Sequence, residues 1–142
     1  MSVSSGNSAI IRIAAAIIFN EAGHVLVVRK RGASVFMQPG GKIEPGETPV
    51  EALRRELREE IALMIGEDAP VYIGRFMAEA AHEADRVVVA DVFEVPLTGA
   101  VAAAAEIEEI RWVDPFALDL PLAVLSRAHI MPVARSRKGN LR

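Results

Sequence analysis

PGGKIEPGETPVEALRRELREEIAL, residues 39–63, consists of two parts that follow different structural rules. Residues 39–48 hold three glycines and two prolines, a composition that predicts an ordered loop without regular structure. At Thr48 the pattern changes: Thr48 can cap a helix, Pro49 suits its first position, and Glu51 completes a capping box. We therefore predict a helix over residues 49–62 that the chain enters directly from the loop.

The predicted helix has an apolar side and an acidic flank. Its apolar residues share one stripe and should face the core: Val50, Leu53, Leu57, Ile61 and Met64. The opposite side should be solvated and carries Glu51, Arg54 and Arg58. Glu56, Glu59 and Glu60 belong to neither side, because they border the apolar stripe beside Ala52 and Arg55. We expect these three carboxylates to be half-buried and to converge.

This acidic flank is locally unfavourable. Glu56 and Glu60 form a like-charge pair one turn apart, which is disfavoured by roughly 0.2–0.5 kcal/mol. Carboxylates near the C-terminal end of a helix also interact unfavourably with the helix dipole. Such local conflicts often mark functional sites, and a hard cation such as Mg²⁺ would reverse the balance. Paired glutamates also occur on exposed helices. The flank alone is therefore equally consistent with a solvated surface that has no function.

The loop before the helix should return beside this flank. Gly40 and Gly41 allow backbone conformations closed to other residues and expose the backbone to a ligand. EPGE, residues 44–47, has the Pro-Gly order of a type II turn, which would reverse the chain toward the helix start. The loop is not a Walker A motif, because Lys42 is followed by Ile43 and the glycine spacing differs.

Taken together, Gly41, Glu47 and the run from Arg55 to Leu63 closely resemble the signature box of the Nudix hydrolases, here residues 41–63. The resemblance implies an α/β fold of the Nudix type, an α/β/α sandwich with a central mixed β-sheet. It also implies a Mg²⁺-dependent hydrolase, with Mn²⁺ as a second possible metal. Such an enzyme cleaves a diphosphate linked to another moiety, very often within a nucleotide.

The resemblance also implies roles for individual residues. Three glutamates would bind metal or activate water: Glu56, Glu59 and Glu60. The Gly41 carbonyl would add a metal ligand, and Arg55 with Glu47 would brace the glutamates. One position departs from the family pattern, since Ala62 replaces the usual glycine near the helix end. Alanine would strain a left-handed cap or make the helix exit differently.

The general base stays open at this stage. Glu59 and Glu56 are candidates within the box, and a loop between two predicted strands offers three more: Glu79, Glu83 and Asp85. Each of these three could equally be part of a polar hairpin tip.

Substrate contacts are less well marked. Lys42 and Arg29 could meet phosphates, although Arg29 could also lie at a solvated strand end. Gln38 could hydrogen-bond a base or point outward from a strand. We expect a nucleoside triphosphate, including an oxidised one, as the first substrate class and a nucleotide sugar such as ADP-ribose as the second.

Two other functions compete with hydrolysis. A non-catalytic nucleotide-sensing module of this fold should lack some of the glutamates, and none is missing. An isomerase of the isopentenyl diphosphate type relies on a cysteine, and this chain has none. Without the resemblance, an inert α/β interaction domain would be the default interpretation.

The flanking sequence predicts strands and one more helix. Residues 9–19 and 24–31 are expected to form a β-hairpin, followed by a short strand at 35–38. Further strands are predicted at 70–80, 85–95 and 106–113, and a second helix within 120–133, stopped by Pro132. We expect a single domain over residues 1–134 and a flexible basic tail over 135–142.

Composition limits the partners. The chain has 142 residues, a net charge of −3 and a pI near 5.6, which disfavours binding to a nucleic-acid polymer. It has no cysteine, which fits a reducing compartment, and its first residues lack the features of an export signal. We expect a cytoplasmic protein with a small nucleotide substrate, no membrane contact and a possible homodimer.

Overall fold

The computed structural model describes residues 10–80 and 86–139. Six strands are present: β1 Ile10–Ile17, β2 Val25–Lys30, β3 Gly40–Lys42, β4 Val71–Glu79, β5 Val87–Glu94 and β6 Ile107–Val113. Helix α1 spans Pro49–Ile61, a π-helix spans Leu125–Ile130, and helix α2 continues it over Met131–Gly139. None of the helices in the described part of the chain is long and apolar enough to cross a bilayer.

The strands form two sheets. The larger sheet has the order β3-β1-β5-β4, in which β1 and β5 are parallel and the other neighbours antiparallel. The smaller sheet pairs β2 with β6. The predicted hairpin of β1 and β2 is therefore wrong. Next to the turn they share the Phe19 and Val25 bridge, with backbone bonds from Leu26 to Ile18 and from Asn20 to His24. Beyond it they diverge, because each pairs with strands distant in sequence.

Two apolar cores lie on opposite sides of β1. Alternate residues of this strand point to opposite faces, so Ala14 and Ala16 pack toward α1 while Ile17 packs toward α2. The α1 side includes Leu53, Leu57 and Ile61 from the predicted apolar stripe. The predicted core position of Met64 is wrong: it is exposed, because α1 ends at Ile61 and the chain turns at Ala62. The α2 side includes Ile130, Met131 and Ala134. The predicted α/β fold, an α/β/α sandwich with a central mixed sheet, is confirmed.

The glycine loop contains a strand that the sequence did not predict. Gly41 pairs with Ala14, and Gly40 pairs with Ala15 at a φ of 144°. A Cβ at residue 40 would lie 2.1 Å from the Ala14 carbonyl oxygen, so only glycine permits this pairing. The predicted strand at 35–38 is reduced to isolated bridges at Phe36 and Met37. The prediction of a loop at Gly40 and Gly41 failed because it relied on the low strand preference of glycine. That preference does not apply where the neighbouring strand leaves no room for a side chain.

The C-terminal region is helical beyond the predicted stop. Pro132 is the second residue of α2, directly after the π-helix, so the helix continues past the position where the sequence predicted its stop. Arg135 donates to the Pro115 carbonyl at 2.6 Å, Arg137 pairs with Glu94, and Lys138 pairs with Asp114 at 3.4 Å. These contacts anchor residues 135–138 to the domain, so the expected boundary at residue 134 falls inside a helix.

The start of α1 agrees with the sequence prediction, and its end explains the unusual alanine. Thr48 and Glu51 form the capping box, and Pro49 opens the helix. Ala62 takes the left-handed conformation, with φ 58° and ψ 30°, and Leu63 N–H donates to the Leu57 carbonyl. The cap that glycine usually supplies is therefore kept, at a steric cost.

Replacing Ala62 with glycine is expected to raise the free energy of unfolding by about 1 kcal/mol, because glycine takes this conformation without strain. Urea denaturation of both proteins measures the difference. Ala69→Gly is the control, since residue 69 does not have a positive φ, and should be destabilising. A loss of stability in Ala62→Gly similar to that of the control would contradict the strain at residue 62.

Candidate active site

Arg55 connects the loop to the acidic flank of α1. Its Nε and Nη2 donate to the two carboxylate oxygens of Glu47 at 2.7 and 2.9 Å, and Nη2 also donates to the Lys42 carbonyl at 3.0 Å. Its Nη1 donates to Glu56 at 2.9 Å and to Glu59 at 3.4 Å. One guanidinium therefore holds loop and helix in a fixed relation, through the bidentate geometry that arginine provides.

The Arg55 and Glu47 pair is electrostatically strong. The hydrogen bond from Arg55, followed by the backbone N–H of Glu44, lowers the pKa of Glu47 from 4.5 to about 2. The hydrogen bond to Glu47 in turn raises the pKa of Arg55 above its usual range. Both groups therefore stay ionised at neutral pH, and Glu47 loses its charge only in strong acid.

Glu60 is the buried member of the acidic flank. Its side chain points inward, the residue is 6% exposed, and its Oε1 accepts a hydrogen bond from the Gly40 N–H at 3.0 Å. Burial raises the pKa of Glu60 to about 7, and the charge of Glu56 adds to the increase. The Gly40 N–H and the charge of Lys30 act in the opposite direction. Near neutral pH the charge of Glu60 therefore depends on its surroundings.

The Glu56 carboxylate lies against the backbone of Gly41. A Cβ built at residue 41 would lie 2.4 Å from the Glu56 Cδ and 2.6 and 2.8 Å from its two oxygens. The space that a side chain at residue 41 would take is thus filled by the carboxylate. The Glu56 side chain is only 17% exposed, because it is confined between Gly41 and Arg55.

The predicted convergence of three half-buried glutamates is only partly observed. Glu56 is half-buried, Glu60 is buried, and the Glu59 side chain is 51% exposed at the edge of the Arg55 guanidinium. No three acidic or histidine side chains within residues 10–80 and 86–139 are close enough to form a metal-binding group. Arg55 lies between Glu56 and Glu59, while Glu60 turns toward Gly40, and this separates the carboxylates.

The oxygen atoms at this end of α1 nevertheless fit a hard divalent cation. Glu56 and Glu60 adjoin the consecutive residues Gly41 and Gly40, and the charge of Glu56 disfavours ionisation of Glu60. A cation would relieve that repulsion. Mg²⁺ is commonly held by one or two carboxylates together with water and substrate phosphates, so a cage of three carboxylates is not required.

A pocket of about 230 Å³ opens beside the loop. Its walls come from β1, the glycine loop, the end of β4 and the start of the π-helix. Two predicted substrate-binding residues, Gln38 and Lys42, line it together with Gly41. The sequence prediction missed two further polar residues of the lining, Lys30 and Ser126. Lys30 could have been found only by knowing which face of β2 meets the pocket.

Two of the predicted substrate-binding residues have surroundings that the sequence did not predict. Arg29 does not line this pocket: it donates to Glu109 at 3.2 Å and to the Ala33 carbonyl at 3.2 Å. Its neighbour Lys30 faces the pocket because successive strand residues point to opposite faces. Gln38 does not point outward, since it is 5% exposed and donates to the Ala16 carbonyl at 3.1 Å.

Comparison with known proteins agrees with this geometry. A family model for the NUDIX domain matches residues 10–133. The chain belongs to the Nudix family of hydrolases. A solved Nudix hydrolase family member from Chromobacterium violaceum is 32% identical with a TM-score of 0.73, over 94% of this chain and 86% of that one. The helix, the loop and the mixed sheet are therefore those of a Nudix domain.

Curated relatives match the Nudix chain over shorter stretches. An 8-oxo-dGTP diphosphatase from Haemophilus influenzae is 46% identical over 59 residues, 39% of this chain and 43% of the relative. An RNA pyrophosphohydrolase from Halorhodospira halophila is 49% identical over 47 residues, 33% of this chain and 26% of the relative. The chain thus spans less than half the length of these relatives.

The candidates for the general base of the Nudix reaction are only partly placed by the structure. Glu56 adjoins Gly41, Glu59 is exposed beside Arg55, and Glu79 at the end of β4 lines the pocket. Glu83 and Asp85 lie outside the described residues.

The stability of this Nudix domain is expected to fall as Glu60 ionises. Its pKa is raised from 4.5 to about 7, so between these values the folded state binds a proton that the unfolded chain has released. The contribution is complete below pH 4.5 and is lost as the pH rises through about 7, a change of about 3 kcal/mol without metal.

Urea unfolding at about pH 5 and about pH 8 in the presence of a chelator measures this loss. Glu60→Gln is the control, because it keeps an acceptor for the Gly40 N–H but does not titrate. Adding Mg²⁺ should reduce the loss, since a cation favours the ionised carboxylate. Identical pH dependence in the two metal-free proteins would contradict the assignment.

Proposed function

We propose that the chain is a Mg²⁺-dependent pyrophosphohydrolase that cleaves a diphosphate bond in a nucleoside triphosphate, including an oxidised one. The observation that carries this proposal is the placement of Glu56 and Glu60 against Gly41 and Gly40, two residues that line the pocket. Negative side chains beside a bent, glycine-bearing strand suit a cation that carries phosphates. Membership of the Nudix family supports the same reaction class.

The residues divide into three roles in this proposal. Glu56 and Glu60, with the exposed Glu59, would hold Mg²⁺ and take a proton from water, and the Gly41 carbonyl would be a further ligand. Mn²⁺ is a second possible metal. When bound, the cation would neutralise phosphate charge and make water a better nucleophile. Arg55 and Glu47 would position these groups, because their hydrogen bonds join loop and helix.

The substrate would extend from the loop into the pocket. Lys42 and Lys30 line it and supply positive charge for phosphates, and the apolar wall suits a base. The similarity to an 8-oxo-dGTP diphosphatase supports a nucleoside triphosphate. A nucleotide sugar of the ADP-ribose type and the 5′ end of an RNA remain comparison substrates, the latter because of the similarity to an RNA pyrophosphohydrolase.

The test is incubation with Mg²⁺ or Mn²⁺ and a panel of nucleoside triphosphates, 8-oxo-dGTP, nucleotide sugars and a 5′-triphosphorylated RNA, with products separated by chromatography. The expected result is release of diphosphate from a nucleoside triphosphate, abolished by a chelator. If only nucleotide sugars are hydrolysed, the substrate class is nucleotide sugars and not nucleoside triphosphates. Absence of metal-dependent turnover on every substrate would contradict it, and would favour a nucleotide-sensing module if nucleotides still bind.

Glu60→Gln is expected to lower this activity at least about tenfold, because one of the two carboxylates beside the glycines loses its charge. The fold should persist, since the glutamine oxygen can still accept from the Gly40 N–H. Glu51→Gln is the matched control: it lies on the same helix and keeps the capping box, so its turnover should be unchanged. Equal turnover in both variants would contradict a role for Glu60.

A further inference from the structure

The Gln38 side chain supplies a hydrogen bond to β1 that the backbone of the next residue, Pro39, cannot donate. The Ala16 N–H donates to the Pro39 carbonyl at 3.0 Å, but proline has no N–H to return the bond to Ala16. The Gln38 Nε2 supplies it instead, donating to the Ala16 carbonyl at 3.1 Å. The nitrogen end of this amide therefore has a structural role next to β3.

The oxygen end of the same amide has no partner. Among the described residues, Gln38 Oε1 is the one buried side-chain polar atom without a hydrogen bond. The amide cannot be turned over, because the Ala16 carbonyl only accepts and would then face the amide oxygen. The acceptor is consequently fixed in position. An unpaired buried acceptor disfavours folding, so its presence suggests a ligand that donates to it.

The surroundings of Gln38 fit a nucleobase. The residue lines the pocket of about 230 Å³, whose wall includes the apolar side chains of Ile11, Ile13 and Val88. Gly41, where Glu56 adjoins the loop, lies on the same pocket. A flat apolar group with one hydrogen-bond donor, attached to phosphates, would match this arrangement.

We propose that Gln38 Oε1 accepts a hydrogen bond from an exocyclic amino group of the substrate base, and so selects amino over keto bases of the same size. This rests on the proposed hydrolysis of nucleoside triphosphates. A keto oxygen at that position would place two acceptors against each other. Sites built for a donor discriminate strongly against an analogue that lacks it, because the buried acceptor is then unpaired.

The test compares kcat/KM for two pairs that exchange an amino group for a keto group, ATP with ITP and CTP with UTP. Wild type should prefer the amino member of at least one pair by about tenfold or more, and Gln38→Met should reduce that preference to about threefold or less. Met37→Leu is the control, because it changes an apolar wall of the same pocket, and it should keep the preference.

A purely structural role would lower kcat/KM for both members of a pair equally and leave their ratio unchanged. No preference in wild type would overturn the proposal. A preference that survives in Gln38→Met would also overturn it, because another group would then select the base.

A second measurement does not depend on turnover or on the folding of the variant. The side-chain amide resonances of Gln38 in wild type should shift with AMP or CMP more than with IMP or UMP. Equal shifts with the amino and keto members would overturn the proposal. Failure to hydrolyse any nucleoside triphosphate would instead count against the proposed function, while the resonances still test Gln38.

Discussion

Glu56→Gln is expected to lower Mg²⁺-dependent diphosphate hydrolysis about 100-fold or more while the domain stays folded. Glu56 is the carboxylate confined between Gly41 and Arg55, so it cannot move away and be replaced by water. Glutamine has nearly the same shape, and its oxygen can still accept from Arg55 Nη1. The substitution therefore removes charge and proton affinity from the site with little change in packing.

The measurement is kcat on the best substrate of the panel at saturating Mg²⁺, with thermal denaturation as the folding check. Glu51→Gln is again the matched control, because it is the same change on the solvated side of α1. A Mg²⁺ titration adds a second readout, since loss of a ligand should raise the concentration needed for half-maximal activity. Turnover within about threefold of wild type would exclude Glu56 from the metal site and from the chemistry.

Gly41→Ala is expected to cause a comparable loss, about 100-fold, through geometry instead of charge. The new methyl group would lie 2.4 Å from the Glu56 Cδ, closer than atoms can approach, so the carboxylate must move. The nearest atoms belong to a side chain, and φ at residue 41 is not in the left-handed region. The fold should therefore survive, at a cost of about 1–3 kcal/mol.

Gly66→Ala is the control for this prediction, because a Cβ there meets no atom within 4 Å and φ is again outside the left-handed region. It should leave activity unchanged. The double variant Gly41→Ala with Glu56→Gln separates the mechanism from general damage. If the methyl group acts by displacing Glu56, the second substitution should add little to the first. Additive losses, or an active Gly41→Ala enzyme, would contradict the proposed contact.

The sequence predicted the local features of the site well, because they depend on spacing within one helix and one loop. Thr48, Pro49 and Glu51 fix where α1 begins, and the apolar stripe fixes which side of it faces the core. The pairing of Arg55 with Glu47, which the resemblance to the Nudix signature box implied, is also present in the structure. Contacts between residues that are close in sequence, along a helix or across a tight turn, follow from the local geometry of the chain.

Other features needed contacts between residues far apart in the chain. The sequence treated Glu56, Glu59 and Glu60 as equivalent, but the fold makes Glu60 buried and Glu59 exposed, since only Glu60 meets the Gly40 N–H. β1 and β2 looked like a hairpin, yet they lie in different sheets. Lys30 lines the pocket where the sequence had pointed to Arg29, because the partner strand decides which face of β2 meets the pocket.

The amino-acid sequence by itself thus determined the family, the helix and the identity of the acidic residues, all of which are encoded over short separations. The folded structure was needed to show which carboxylate is buried, which lysine reaches the pocket and how the Gln38 amide is oriented. The physical reason is that burial and hydrogen-bond partners come from strands and helices that pack from distant parts of the chain. A side chain's desolvation, and with it its pKa, is fixed only after that packing is complete.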